Sequence, residues 1–177
     1  MAPRNPNQPD TPADVTVRNA ELQYINFEGR ATRFKPAGES SRGFRLMLPE
    51  DVARDMADAG WNVKETKPWR EASVEEVENF VPRPFLDVKV NFEYESKAPQ
   101  IQLVTGEVRT LLSRDTAFIV DQSDIVKIDL IINASYYDFG GNQGFAAYLK
   151  KVYITIQEDD LEQDYAHIPL AGTTRIA

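Results

Sequence analysis

Apolar residues alternate with polar ones in several short runs along the chain, and a period of two is the signature of half-buried strands. Val15, Val17, Ala20, Leu22 and Tyr24 form two such runs whose parity changes near Asn19, which predicts a bulged first strand over Val15 to Phe27. Phe44, Leu46 and Leu48 give a second strand an apolar face and leave Arg45 on the other side. Val88, Val90, Phe92 and Tyr94 do the same for a third, with Lys89 and Asn91 facing away, and Ile101 and Leu103 begin a partner strand after Pro99. Val126, Ile128, Leu130, Ile132, Ala134 and Tyr136 alternate over a long strand, opposite Lys127, Asn133, Ser135 and Tyr137. The turn DFGGNQG leads into a return strand whose apolar parity changes from Ala147 and Leu149 to Val152, Ile154 and Ile156. A bulge near Lys150 or Lys151 accounts for that change and places Tyr148 and Lys150 on an outer face close to Tyr137.

Helical spacing is rarer. Glu50 and Asp51 suit the positive end of a short helix with Val52, Met56 and Ala59 as its buried stripe, Gly60 as a left-handed cap and Trp61 folded back on the last turn. Leu111 to Val120 reads as a second short helix with Ser113 as its N-cap. From Lys67 to Pro84 the composition turns charged and proline-bearing, as a surface insertion with one or two helical turns would be, and it carries Trp69 beside Lys67 and Arg70. About six β-rich segments with one helix between the early and late ones predict a mainly β protein and fit a small Greek-key barrel or a sandwich; an OB-fold-like Greek-key barrel with a short helix and surface insertions is the expected form. The barrel is expected over 15–157. Residues 1–14, with Pro3, Pro6, Pro9 and Pro12, read as a disordered arm, and 158–177 as an acidic, flexible tail.

Composition narrows the chemistry. At 177 residues and 42% apolar content the chain supports one sizeable core. The absence of cysteine excludes disulfides and thiolate sites, and the single His167 excludes any site built on two imidazoles. With no long apolar run and no secretory signal, a soluble, cytoplasmic protein without membrane contact is expected. The net charge of −8 argues against indiscriminate binding to polyanions, yet exposed charges screen within about 8–10 Å at physiological salt, so distribution matters more than the sum.

That distribution is uneven. The segment FEGRATRFKPAGESSRGFR, Phe27 to Arg45, holds Arg30, Arg33, Lys35, Arg42 and Arg45 against Glu28 and Glu39 only, punctuated by Gly29, Pro36 and Gly38 and interleaved with Phe34 and Phe44. A solvated hairpin loop can have this composition, but so does a surface offering phosphate contacts beside flat stacking groups. In the OB fold, strands two and three and the loops between strands one and two and between four and five form the usual oligonucleotide face. On that basis the candidate phosphate-binding residues are Arg30, Arg33, Lys35, Arg42, Arg45, Lys89 and Lys150, and the candidate base-stacking residues are Phe34, Trp69, Tyr137 and Tyr148.

Catalytic patterns find less support. Asp87 and Lys89 with Glu50 or Asp51 fit a metal-nuclease pattern loosely, but alternation puts Asp87 and Lys89 on one solvent face, where a charge pair suffices. Asp138, Phe139 and Gly140 spell a kinase magnesium motif without its accompanying loops and read as a hairpin turn. His167 has no partner at triad spacing. A structural or assembly protein using the barrel for protein contacts is the alternative to nucleic-acid binding, with a nuclease third.

Four segments taken in order carry a family likeness: NFEGRATRFKPAG, GFRLMLPEDVARDMADAGWNVK, the strand at Pro84 to Val90, and GFAAYLKKVYITIQEDDLEQDY. Over about Val15 to Tyr165 they resemble the single-stranded DNA-binding proteins of tailed bacteriophages. The resemblance implies an OB fold that coats single strands exposed during phage replication and recombination, without sequence preference, catalysis, cofactor or metal, in the cytoplasm of the infected bacterium. It also implies that the acidic run Glu158 to Asp164 serves phage replication or recombination proteins, although here HIPLAGTTRIA follows that run.

Overall fold

The computed structural model describes residues 6–157 and 167–168. Strands β1 (Val15–Val17) and β2 (Leu22–Asn26) are two halves of one interrupted strand, followed by β3 (Gly43–Met47), α1 (Glu50–Asp58), β4 (Val63–Glu65), α2 (Val74–Glu78) and β5 (Pro84–Lys89). The hairpin β6 (Gln100–Thr105) and β7 (Val108–Leu112), the short α3 (Phe118–Asp121) and the long hairpin β8 (Ile125–Phe139) and β9 (Asn142–Ile156) complete the described elements.

The sheet runs β1-β8-β9-β5-β3-β2. It closes because the chain between β1 and β2 passes from one neighbour to the other: the Ala20 amide donates to the Ile128 carbonyl at 2.8 Å, and the Met47 amide to the Glu21 carbonyl at 3.0 Å. Asn19 makes that step possible by adopting φ 50°, and its amide donates to Asp129 Oδ1 at 2.8 Å. With β1 and β2 counted as one, each strand along this path is antiparallel to its neighbours except for the parallel pair β5 and β9, and off the path β6 also joins β9 in parallel. This is the closed Greek-key arrangement of an OB fold.

The barrel interior is filled by the alternate residues that the sequence pattern puts there. Leu46, Leu86, Val88, Leu130, Ile132, Ala147 and Leu149 are all buried, and Phe27 stacks on Phe44 with ring centroids 5.8 Å apart. β9 carries the expected bulge at Lys150: Ile131 pairs with Lys151 and Ile132 with Leu149, so Lys150 is the extra residue and the inward set changes parity there. The bulge also lets β9 serve two parallel neighbours, β5 along its first half and β6 along its second.

α1 ends as expected in a Schellman motif. The Trp61 amide donates to the Met56 carbonyl and the Gly60 amide to the Ala57 carbonyl, both at 3.0 Å, with Gly60 at φ 96°. Trp61 is buried as a packing residue, but the buried stripe is Ala53 and Met56, while Ala59 is the exposed C-cap.

Three other expectations are corrected. Leu111 belongs to β7, where it pairs with Gln102, so the helix expected over Leu111 to Val120 shrinks to α3 with Ala117 at its N-cap; the Ser113 amide instead donates to Thr116 Oγ1 at 2.8 Å in a turn. β6 is no partner of β5; it pairs with β7 and β9. Tyr24, expected on the core face with Leu22, lies outside: Gln23 pairs with Arg45 but Asn26 with Gly43, so β2 carries one extra residue and the side-chain parity reverses. No helix among the described residues is long and apolar enough to cross a membrane. The tail expected from residue 158 lies outside the described residues except for His167 and Ile168.

Candidate nucleic-acid interface

The loop from Phe27 to Arg42 joins the first two barrel strands, and its base is held firmly. Asn26, buried, donates through Nδ2 to the carbonyls of Arg30 and Ser41 at 3.0 and 2.9 Å and accepts through Oδ1 from the amides of Gly29 and Arg30 at 3.1 and 3.0 Å. One amide side chain thus uses its full hydrogen-bonding capacity to close the loop. Asp121, at the end of α3, accepts from the amides of Phe27 and Glu28 at 2.8 and 2.9 Å and lies 3.9 Å from the Arg30 guanidinium. Gly29 is required at φ 80°, and a Cβ there would stand 2.7 Å from the Gly38 carbonyl oxygen.

The tip beyond this base is presented to solvent. Arg33 sits 6.0 Å from the centroid of Phe34, whose ring is 88% exposed, and Lys35 Nζ donates to the Ser40 carbonyl at 3.1 Å. Arg33, Phe34 and Lys35 therefore form a cationic, aromatic tip, with Arg30 at its base, 3.5 Å from Glu28 and largely exposed.

Arg42 is turned the other way. Its side chain is only 11% exposed, lies 3.2 Å from Glu39 Oε2 and 5.1 Å from the Phe92 centroid, and donates to the Phe27 carbonyl. Glu39 also accepts from the Phe92 amide and pairs with Arg114 at 3.4 Å. Arg42 locks the loop to the segment after β5 instead of standing with the exposed cations.

The outer face of the barrel carries the next group. Gly43, Lys89, Tyr148 and Asn133 stand opposite one another across β3, β5, β9 and β8, and cross-strand partners point to the same face. Lys89 Nζ lies 5.6 Å from the Tyr148 centroid. Gly43 leaves this row flat; a Cβ there would stand 2.6 Å from the Val88 carbonyl oxygen. Tyr137, opposite Gly144, is on the same face four positions further along β8 than Asn133, about 13 Å at ordinary strand rise. Its hydroxyl packs over Gly144 beside the Gly60 carbonyl. Lys150 faces out at the bulge but is paired with Asp14 at 2.6 Å.

Arg45 is outward on β3, one row from Lys89. Asp87, its cross-strand partner, holds Lys64 at 3.1 Å. The acid of the loose nuclease pattern thus sits in an exposed charge pair, with Lys64 as its partner where Lys89 was expected. Trp69 is 64% exposed on the insertion between β4 and β5, and the neighbouring Pro68 helps to line a cleft of about 790 Å³ with Arg45, Lys64, Glu65, Lys67 and Phe80 among its other walls.

Two features of this surface escape the sequence reading. Phe139, at the tip of the β8–β9 hairpin, is 85% exposed and faces solvent from the loop between the last two barrel strands. Further along β9, Lys151 Nζ stands 5.1 Å from the Tyr153 centroid, and hydrogen bonding to Lys151, with Arg109 nearby, holds the Tyr153 hydroxyl below its ordinary pKa. An alternation of Lys and Tyr on the outward side of a bulged strand is the signal that could have found this second pair.

The phage ssDNA-binding domain family matches this chain over residues 7–177. The chain belongs to that family. It is a single-stranded DNA-binding protein, and its OB barrel is a fold suited to that ligand. Solved structures with which it aligns include the single-stranded DNA-binding protein from bacteriophage Enc34 in complex with ssDNA, at 12% identity and TM-score 0.49 over 82% of this chain and 88% of that one. A C-terminal truncation of the Enc34 protein aligns at 13% identity and TM-score 0.47 over 82% and 87%. No individually curated protein matches in sequence.

Proposed function

We propose that this family member coats single-stranded DNA without sequence preference and without catalysis, protecting strands exposed during phage DNA replication and recombination in the cytoplasm of the infected host. The observation that carries this reading is the repeated pairing of a cation with an aromatic ring on the outside of the barrel, Lys89 with Tyr148 and Arg33 with Phe34. A cation neutralises a phosphate of any nucleotide, and a ring stacks on any base, so such pairs bind strongly without reading base edges. Phosphate contacts fall to Arg30, Arg33, Lys35, Arg45 and Lys89, with Lys150 joining them once it leaves Asp14. Stacking falls to Phe34, Trp69, Tyr137 and Tyr148. Arg42 supports the loop from inside. The acidic run Glu158 to Asp164, outside the described residues, is the proposed docking segment for phage replication or recombination proteins.

The test is a binding comparison of labelled single strands of equal length and different sequence with duplex DNA of that length. Similar affinities for all single strands, each exceeding the duplex, are expected. A strong preference for one sequence or for duplex contradicts the proposal.

A further inference from the structure

Tyr24 sits in a strand with a left-handed backbone, φ 53°. Tyrosine seldom adopts that conformation, and strain of this kind concentrates where a side chain has to be aimed. Here it accompanies the extra residue of β2 and turns the ring out of the barrel, leaving it 77% exposed. The ring meets Arg45: the guanidinium carbon lies 4.9 Å from the Tyr24 centroid and 3.7 Å from that of Phe85. Arg45 Nε is buried without a hydrogen-bond partner, and the carboxylate directly across the ladder, Asp87, is occupied by Lys64 at 3.1 Å. The cation is thus held by ring faces and keeps its charge available to an anion. The cleft lined by Arg45, Lys64, Glu65, Lys67, Phe80 and Phe85 opens beside it, with three cations against one acid.

We infer that Tyr24 is a base-stacking residue and Arg45 its phosphate partner, forming a nucleotide subsite at the β2 edge of the outer face that leads into this cleft. The inference rests on the proposed mode of single-strand binding and adds a position to it. Its chemistry is that of the other cation–aromatic pairs: a nucleobase covers the exposed face of Tyr24 while the adjoining phosphate meets the Arg45 guanidinium.

Because the strain and the stacking reside in one residue, they can be separated. Tyr24→Gly removes the ring and suits φ 53°, so its Tm should equal or exceed that of the wild type, while affinity for a labelled dT oligonucleotide should fall about 5- to 100-fold, the loss typical of one stacked base. Tyr24→Phe should bind within about two-fold of wild type, because stacking uses the ring and not the hydroxyl. A second measurement needs no variant: wild-type protein irradiated on 5-iodouracil-substituted dT should yield an adduct on Tyr24. Wild-type affinity in Tyr24→Gly, or adducts at other aromatics with none at Tyr24, overturns the subsite. A wild-type chain that binds no dT overturns the functional reading itself.

Discussion

Lys89 and Tyr148 stand directly opposite each other across the parallel β5–β9 pair, with the ammonium nitrogen 5.6 Å from the ring centroid. Two segments far apart in sequence thus place a charge and a stacking surface at one point of the outer face. Tyr148 is only half-buried, so Tyr148→Ala should change Tm little. It should weaken dT binding by about 1–3 kcal/mol, the usual cost of one stacked base. Thermal melting and fluorescence anisotropy on the same preparation check both halves; loss of Tm without loss of affinity would place Tyr148 in the scaffold.

Arg33 and Lys35 lie beyond the loop base that Asn26 and Asp121 secure, and Arg30 stands on that base with its guanidinium side chain largely exposed. Replacing all three by alanine should leave Tm nearly unchanged, at under about 0.5 kcal/mol for each surface change, while binding weakens markedly. Replacing Arg42 should do the reverse, lowering Tm first, because its guanidinium is enclosed by Glu39, Phe92 and the Phe27 carbonyl. Equal effects of the two substitutions on Tm would contradict this division of labour.

Asp129 couples the break in the first strand to pH. The Asn19 amide, which donates to it at 2.8 Å, holds its carboxyl below the ordinary value of 3.8, with Lys127 assisting and partial burial opposing. Since the folded chain binds this proton less tightly than the unfolded chain, the carboxylate's stabilisation is complete above 3.8 and is lost as pH falls through the lower folded value. The Tm difference between wild type and Asp129→Asn should therefore be present at neutral pH and shrink as the pH is taken below 3.8. A difference that persists unchanged in acid would show that Asp129 acts by packing alone.

The acidic run Glu158 to Asp164 follows β9 in sequence, and as a polyanion it would compete with DNA phosphates for the cationic face. Truncation after Gln157 should raise affinity for short oligonucleotides at low salt, with the gain fading as salt screens both interactions. Lost Tm without gained affinity would mean instead that Leu161, Tyr165 or Ile168 packs on the barrel.

The strands were legible because one buried face imposes a period of two, and the bulge at Lys150 was legible because it breaks that period in the middle of a long run. Gly60 followed by Trp61 announced the helix end for an equally local reason. What failed to show was non-local. The parallel pairing of β6 with β9 leaves no mark in either segment, and Leu111 beside Leu112 resembles a helix as much as an edge strand until Gln102 and Ile101 are seen opposite them. The candidate site suffered most where periodicity is absent. Nothing in FEGRATRFKPAGESSRGFR distinguishes Arg42, enclosed by Glu39 and Phe92, from Arg33 at the tip, and one extra residue in β2 moved Tyr24 from the expected core face to solvent.

The central claim is that exposed cations of the loop and outer face bind single-stranded DNA through its phosphates. The most direct test is the salt dependence of dT affinity for the wild type and for the variant carrying Arg33→Ala and Lys89→Ala. The wild type should give a linear log–log plot whose slope reflects several contacts at about −0.7 each, and the variant's slope should be shallower by about 0.7 for each of the two cations removed. A flat wild-type response, or an unchanged slope in the variant, would contradict the claim.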